Sequence, residues 1–225
     1  MSADHYKHQP WIHTQFGPFH FEHPEFKPEA IAHALGMLVR YNGHVSRFYS
    51  VAEHSLLVAG LMAELKLGDP FEGLMHDAAE AYLRDIPAPW KQFLPDSIAV
   101  EDRLDKQIRE TFKLPAEKSA GCNKADKLAL FIEAYYLMPN QGSDYTDILG
   151  VRPEALALVK DHWKVHSFEP TLATHLWMKG FKHYGPKIEV VEGDAGMQAS
   201  QAVAEMQAAR AEAGKVVEGS SLVIP

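Results

Sequence analysis

The sequence predicts an all-α fold, a helical bundle whose segments begin at about residue 28. Two observations support this prediction. Apolar residues recur at helical spacing along most of the chain, and several apolar segments begin with a residue type that commonly caps a helix. With 225 residues, of which 46% are hydrophobic and 23% charged, the chain can form one substantial core.

The first expected elements are a small hairpin and a helix. The stretch "WIHTQFGPFHF" is compatible with a hairpin, within an N-terminal extension of residues 1–27. Pro28 stands at a favourable first helical position, and Ile31, Leu35 and Leu38 form one apolar stripe behind it. We therefore expect the first helix to begin at Pro28.

A second helix is predicted over "SVAEHSLLVAGLMAELKLG". Ser50 is its N-cap, and Glu53 three residues later completes the pattern of a capping box. Gly68, directly after Leu67, marks the expected stop of this helix.

A third helix is predicted over "DPFEGLMHDAAEAYL", and its first residues show the same capping pattern. Asp69 is the expected cap, Pro70 occupies the first helical position, and Glu72 occupies the third. The sequence thus predicts two well-marked helices that directly follow one another.

Helical patterns continue to about residue 184, so we expect one domain over residues 28–184. A helix begins at about Ser97, and "NKADKLALFIEAYYLM" is apolar nearly all round, which is typical of a central helix. Two further helices are expected near 153–164 and 171–183. The alanine-rich tail, residues 185–225, is compatible with a docking helix for a second subunit and equally with a solvated tail.

Charge and cysteine content narrow the classes of partner. With 30 acidic and 22 basic residues the net charge is -8, which disfavours capture of long nucleic acids but permits a small anionic substrate. Cys122 is the single cysteine, so an internal disulfide and a CxxC zinc site are excluded. We see no signal peptide and no membrane-spanning stretch, and we expect a cytoplasmic protein with no membrane partner.

The stretch "GLMHDAAEAYLRDIPAPWK" places His76 directly before Asp77 among residues that we expect to be buried. Burial of these two polar groups is costly unless another group compensates them. His54, early in the preceding helix, and Asp126, near the start of the central helix, are candidates to join them. Two imidazoles and two carboxylates suit a divalent metal ion, with Mn, Co, Zn, Fe, Ni and Mg as the candidates.

These residues form the pattern H…HD…D, set in the longer segment "HDAAEAYLRDIPAPWK". The segment resembles the H-D-x-x-E-x-x-x-x-D-[IL]-P-x-P-x-K motif of the bacterial 5'-deoxynucleotidase branch of the HD-domain metal-dependent phosphohydrolases, and of related phage deoxynucleoside triphosphohydrolases. "YSVAEHS" around the first histidine and "RY" at Arg40 and Tyr41 are also similar. The resemblance covers roughly residues 28–140 and implies an HD-domain helical bundle.

The resemblance also implies roles for individual residues. The implied metal ligands are His54, His76, Asp77 and Asp126. Glu80 and Asp85 are expected to act around the attacking water. Glu80 lies four residues after His76 and three after Asp77, on the same helical face, where a carboxylate can accept a proton from metal-bound water. Asp85 is expected to orient the water or to protonate the leaving oxygen; an ordinary surface or turn carboxylate is the alternative for both residues.

Cations near the motif are candidates to bind the substrate phosphate, since a guanidinium can grip a phosphate with two hydrogen bonds. Arg40 and Lys91 match positions of the family motif. Arg47 and Lys124 are equally compatible with solvated surface charges. Tyr41 is a candidate to pack against the sugar or the base, and a core position is its alternative.

The expected activity is attack of a metal-bound hydroxide on a nucleotide phosphorus, and the resemblance implies deoxynucleotides and a homo-oligomer. The choice between monophosphate and triphosphate substrates stays open. A di-iron oxygenase is disfavoured because no histidine lies between Asp77 and Asp126, and a cyclic-dinucleotide phosphodiesterase because a GYP-type motif is missing. A non-catalytic helical module, held together by its metal, is the alternative from another class; a structural site has no use for the extra carboxylates of Glu80 and Asp85.

Overall fold

The computed structural model describes residues 11–145, 147 and 150–186. Over these residues the chain is mostly helical, with a two-stranded antiparallel hairpin at its start, which confirms the predicted fold class. The strands are β1 (Trp11–Thr14) and β2 (Gly17–His20), and the helices are α1 (Pro28–Met37), α2 (Val51–Glu64), α3 (Pro70–Met75), α4 (Glu80–Leu83), α5 (Ala88–Lys91), α6 (Pro95–Phe112), α7 (Ala120–Leu137), α8 (Arg152–Asp161) and α9 (Pro170–Tyr184). The expected docking helix in the tail lies outside the described residues.

Helix α2 is central to the bundle, because it packs against α1, α3, α7 and α9. One apolar cluster joins α1, α3 and α9 and includes the fully buried Leu35, Leu74 and Trp177. A second cluster joins α2 and α7 through residues such as Leu61 and Leu128. Polar side chains on the buried faces of α2 and α7 therefore have little access to water.

Helix α2 ends three residues earlier than the sequence predicts. Its last residue is Glu64, and Lys66 adopts the left-handed conformation with φ of 54°. The amide of Leu67 donates to the carbonyl of Met62 at 2.9 Å, the hydrogen bond of a Schellman cap. Gly68 also has a positive φ, 141°, so it turns the chain toward α3 rather than ending the helix itself.

The helix predicted over residues 69–83 is interrupted between α3 and α4. The amides of Ala78 and Glu80 donate to the carbonyls three residues earlier, those of Met75 and Asp77, at 2.9 and 3.0 Å. This hydrogen-bond pattern is that of a 3₁₀ turn, in which side chains three positions apart lie above one another. The prediction of one continuous helix was wrong, but the turn keeps Asp77 and Glu80 on one face.

The N-cap of α2 is confirmed, since Ser50 Oγ accepts the amide of Glu53 at 3.1 Å. The carboxylate of Glu53 has a different role from the predicted capping box. It accepts the backbone amides of residues 166–168 at 2.7 to 2.9 Å. Glu53 therefore anchors the loop between α8 and α9 to the helix that carries His54.

The N-cap of α3 is confirmed as well, since Asp69 Oδ1 accepts the amide of Phe71 at 2.9 Å. The carboxylate of Glu72, like that of Glu53, binds a distant segment. It accepts the amide and the hydroxyl of Ser119, the N-cap of α7, at 2.8 and 2.6 Å. Glu72 thereby sets the position of α7 relative to α3.

Within the described residues, no helix has both the length and the apolar character needed to cross a bilayer.

Candidate metal centre

Three separate parts of the fold bring three of the four predicted ligands together, and Asp77 is not part of this group. His54 lies in the first turn of α2, His76 directly follows α3, and Asp126 lies in the second turn of α7. His54 Nε2 is 3.2 Å from His76 Nε2 and 3.3 Å from Asp126 Oδ1. One donor atom from each of these three residues lies within 4.8 Å of the others, a group that could hold a metal ion.

Both imidazoles present Nε2 to this cluster because Nδ1 is engaged elsewhere. The N–H at Nδ1 of His76 donates to the carbonyl of Gly73 at 2.7 Å. Nδ1 of His54 donates to Glu133 Oε1 at 2.5 Å. Metal-binding histidines are commonly oriented in this way, since a hydrogen bond from one ring nitrogen leaves the other available to the ion.

The separation of the two imidazoles fits a shared ion. Ligand nitrogens at about 2.1 Å from one ion and 3.2 Å apart subtend an angle of about 100°, within the range of tetrahedral and octahedral sites. The donor set of nitrogen and oxygen atoms suits borderline divalent ions. The residues therefore fit a divalent ion, as the sequence predicts.

Asp77 lies beside the same three residues. Its Oδ1 is 3.1 Å from His76 Nε2, and its Oδ2 is 3.4 Å from His54 Nε2. Although burial raises the pKa of this carboxyl, the neighbouring imidazoles of His76 and His54 lower it below the usual value. Asp77 thus offers an ionised carboxylate that faces both histidines.

Glu133 contacts this cluster, and the sequence analysis did not identify it. Its buried carboxylate accepts Tyr41 Oη at 2.6 Å and Tyr49 Oη at 3.0 Å, in addition to the imidazole of His54. Glu133 follows Asp126 by seven residues, two helical turns, so both face the same side of α7. A charged residue on that face of an apolar helix is the signal that would have indicated it.

Two cations contact the carboxylates of this cluster. Arg40 Nη1 is 3.6 Å from Asp77 Oδ2, and Arg40 Nε is 3.3 Å from Glu133 Oε2. Lys118, which the sequence analysis also missed, places Nζ 2.7 Å from Asp126 Oδ2. Lys118 precedes α7 in a loop, and no helical periodicity connects it to Asp126. Both cations hold carboxylates of the cluster in place.

The surrounding charges alter the protonation of the buried groups. Burial and Arg40 lower the pKa of His54, but the carboxylates of Glu133 and Asp126 outweigh them and raise it to about 9. Burial raises the pKa of Asp126, yet its hydrogen bond with His54 and the charge of His76 bring this pKa well below the usual value. The carboxylates around His54 therefore favour its imidazolium form when no ion is bound.

Glu80 and Asp85 lie near the cluster but outside the ligand group. Glu80 is 7% exposed, and within the described part of the chain its Oε2 is buried without a hydrogen-bond partner. Burial, together with the charges of Asp77 and Asp85, raises the pKa of Glu80 well above its usual value. Burial likewise raises the pKa of Asp85, although the positive charge of Arg40 lowers it in part. Burial thus favours the neutral form of both carboxyl groups.

The other predicted substrate residues have varied surroundings. Lys91 Nζ binds Glu101 Oε1 at 2.6 Å, and its charge also acts on Glu80. Arg47 donates to the carbonyl of Val165 at 3.0 Å. Lys124 forms an exposed ion pair with Glu154 at 2.9 Å. The structure therefore does not bring Arg47 and Lys124 to the cluster. Their partners are Val165, which follows α8, and Glu154, which lies in α8.

Tyr41 supports the cluster from a turn with an unusual backbone. Arg40–Gly43 form this turn, and Tyr41 and Asn42 both have positive φ, 57° and 51°. Left-handed conformations are uncommon for residues other than glycine and, outside simple turns, concentrate at functional sites. The turn directs the hydroxyl of Tyr41 to Glu133 and brings the guanidinium of Arg40 to Asp77.

No family model matches the chain. The chain is 41% identical over 121 residues to the uncharacterized protein YfdR of Escherichia coli, an alignment that covers 54% of this chain and 66% of the relative. It is 37% identical over 113 residues to an uncharacterized protein of Rhodobacter capsulatus, with 47% and 58% of the two chains covered. The chain thus spans less than two thirds of either relative, and neither name states an activity.

Proposed function

We propose that the protein is a divalent-metal-dependent phosphohydrolase that acts on nucleotides, with deoxynucleotides as the expected substrates. One observation carries this proposal. A group of residues that fits a metal ion, His54, His76 and Asp126, lies beside two further carboxyl groups, Glu80 and Asp85, that the ion does not need as ligands. A purely structural metal site has no function for such additional groups.

In this proposal, Asp77 completes the ligand set that His54, His76 and Asp126 begin. Its carboxylate oxygens lie 3.1 Å from His76 Nε2 and 3.4 Å from His54 Nε2, so Asp77 is the fourth candidate ligand. A divalent ion held there supplies a Lewis acid, which activates water and neutralises charge on a phosphate.

Glu80 is the proposed general base. Its Oε2 is buried and has no hydrogen-bond partner in the described structure. The positive charge of a bound ion would favour the ionised form of Glu80, in which this oxygen would accept a proton from the attacking water. Asp85, whose carboxyl group interacts electrostatically with Arg40 and Asp77, is the residue proposed to orient that water or to return a proton to the leaving oxygen. The two carboxyls thereby divide acid and base functions between them.

Arg40 and Lys91 are the proposed phosphate-binding cations. Arg40 is held by Asp77 and Glu133, so its guanidinium is oriented before substrate binds. Lys91 binds Glu101 at 2.6 Å, and in this proposal its ammonium group also contacts the phosphate. Positive charge next to the ligands favours an anionic substrate despite the acidic composition of the chain.

The test is phosphate release from a panel of deoxynucleotides and ribonucleotides, mono- and triphosphates, in the presence of Mn²⁺ or Co²⁺. Loss of a general base typically costs 10²- to 10⁴-fold, so we expect Glu80→Gln to lower kcat by about 10²-fold or more. Asp77→Ala should abolish metal-dependent release. Lys124→Met, which removes only an exposed ion pair, is the control and should leave activity unchanged.

Absence of metal-dependent release from every nucleotide would contradict the proposal. If the metal then still raised the melting temperature, the non-catalytic helical module would be favoured instead. Loss of activity in Lys124→Met equal to that in Glu80→Gln would indicate general damage to the protein rather than loss of a base.

A further inference from the structure

A cavity of about 630 Å³ opens between the end of α1 and the segment that joins α4 to α5. Most of its wall is apolar, and the indole of Trp90, 60% exposed, forms part of it. The polar lining residues are Asn42, Arg84 and Asp85. Cavities of this size and lining are typical of small-molecule sites.

The cavity adjoins the metal centre through two of its residues. Asp85 lines the cavity, and its carboxyl group interacts electrostatically with Arg40 and Asp77. Asn42 also lines the cavity and directly follows Tyr41, whose hydroxyl binds Glu133. A molecule in the cavity would therefore have one end next to the metal ligands.

Arg84 has a backbone conformation that is rare for its residue type. It follows α4 with φ of 83° and ψ of 158°, a region that glycine occupies freely and that other residues seldom adopt. Such strain, when it is retained at the wall of a cavity, suggests a requirement for the side chain. A glycine would fit the backbone better at this position.

The guanidinium of Arg84 is also unpaired. Within the described part of the chain, Arg84 has no side-chain hydrogen bond or ion pair. Every other arginine of that part has at least one such partner; these are Arg40, Arg47, Arg103, Arg109 and Arg152. Arg84 thus presents uncommitted donors at a cavity whose wall is otherwise mostly apolar.

We propose that this cavity holds the nucleoside end of the substrate and that Arg84 selects the base. The inference rests on the proposed function, because it assumes that the phosphate lies at the metal centre. A flat base fits the apolar wall and the exposed indole of Trp90. Arginine only donates hydrogen bonds, and O6 and N7 of guanine are two adjacent acceptors that a guanidinium can bind together. Guanine is therefore the preferred base.

The first measurement is kcat/KM of the full chain for the guanine and adenine deoxynucleotides at the phosphorylation level that the wild type hydrolyses. We expect the wild type to prefer guanine by about 10-fold, and Arg84→Ala to remove this preference. Arg84→Gly should remove it too while folding normally, because glycine relieves the strained backbone. Arg103→Ala, which removes an exposed ion pair with Glu22, is the control.

The second measurement is equilibrium dialysis of deoxyguanosine and deoxyadenosine, which carry no phosphate. We expect tighter binding of deoxyguanosine by the wild type, and weaker binding by Arg84→Ala and Trp90→Ala. Nucleotide hydrolysis with an unchanged base preference in Arg84→Ala would overturn the inference but not the proposed function. Selective deoxyguanosine binding that depends on Arg84, without hydrolysis of any nucleotide, would support the cavity and contradict the hydrolase.

Discussion

Replacement of Glu133 by glutamine tests whether this residue supports the metal centre. The side chain is fully buried and accepts hydrogen bonds from His54, Tyr41 and Tyr49, and it forms an ion pair with Arg40. Glutamine has nearly the same shape and keeps one acceptor oxygen, but it carries no charge. The substitution therefore removes the electrostatic support of His54 while it changes the packing little.

Two effects of different size are expected. Loss of a partner that orients a metal ligand typically lowers metal affinity 10- to 100-fold, which corresponds to about 1.4 to 2.7 kcal/mol. The free energy of unfolding should fall by about 2 to 3 kcal/mol, because several hydrogen bonds to a charged group become hydrogen bonds to a neutral one. Arg40 keeps Asp77 as a carboxylate neighbour at 3.6 Å, which limits the loss.

The assay is competition for the metal with a chromophoric chelator, together with urea unfolding of the metal-free protein. Glu72→Gln is the matched control, since Glu72 is 1% exposed and also accepts two hydrogen bonds, from Ser119. Glu72 forms no hydrogen bond or ion pair with His54, His76 or Asp126, and glutamine keeps an acceptor oxygen for Ser119 at the start of α7, so this variant should lose stability and retain metal affinity. Equal loss of affinity in both variants, or none in Glu133→Gln, would refute a specific role for Glu133.

Three further predictions concern the metal-free protein. The pKa of His54 rises from 6.5 to about 9 on folding, so its protonation stabilises the folded state by about 3 kcal/mol. This contribution is complete below pH 6.5 and is lost as the pH rises through 9. A free energy of unfolding that does not fall over this pH range would contradict the assignment. Cys122 is fully buried and burial raises its pKa to about 12, so a thiol reagent should react with the native protein far more slowly than with the urea-unfolded chain; similar rates would show that the residue is accessible. Gly121→Ala would place Cβ against the backbone carbonyl of Leu67, and we expect a loss of about 3 kcal/mol or failure to fold; urea unfolding close to that of the wild type would show that the contact relaxes.

Local patterns predicted the elements of the fold well. Ser50 and Asp69 cap α2 and α3 as expected, since a cap depends only on neighbouring backbone groups. The predicted capping-box roles of Glu53 and Glu72 were wrong, because their carboxylates bind segments that are distant in the chain. A capping box describes which hydrogen bonds are available locally, and a distant partner can displace them.

The candidate metal centre likewise contains residues that the sequence predicted and residues that it did not. His54, His76 and Asp126 were identified from residue types, spacing and a resemblance, and they do lie together. Glu133 and Lys118 were not identified, because no short motif connects them to the ligands.

The sequence by itself determined where most of the helices begin and which side chains could bind a metal, because propensity, capping and ligand chemistry are local properties of the chain. Only the tertiary structure decided which groups orient the ligands, how the turns at Tyr41 and Arg84 distort the backbone, and which cations keep uncommitted donors. These features depend on contacts between segments far apart in sequence, where burial changes the free energy of every charge and hydrogen bond.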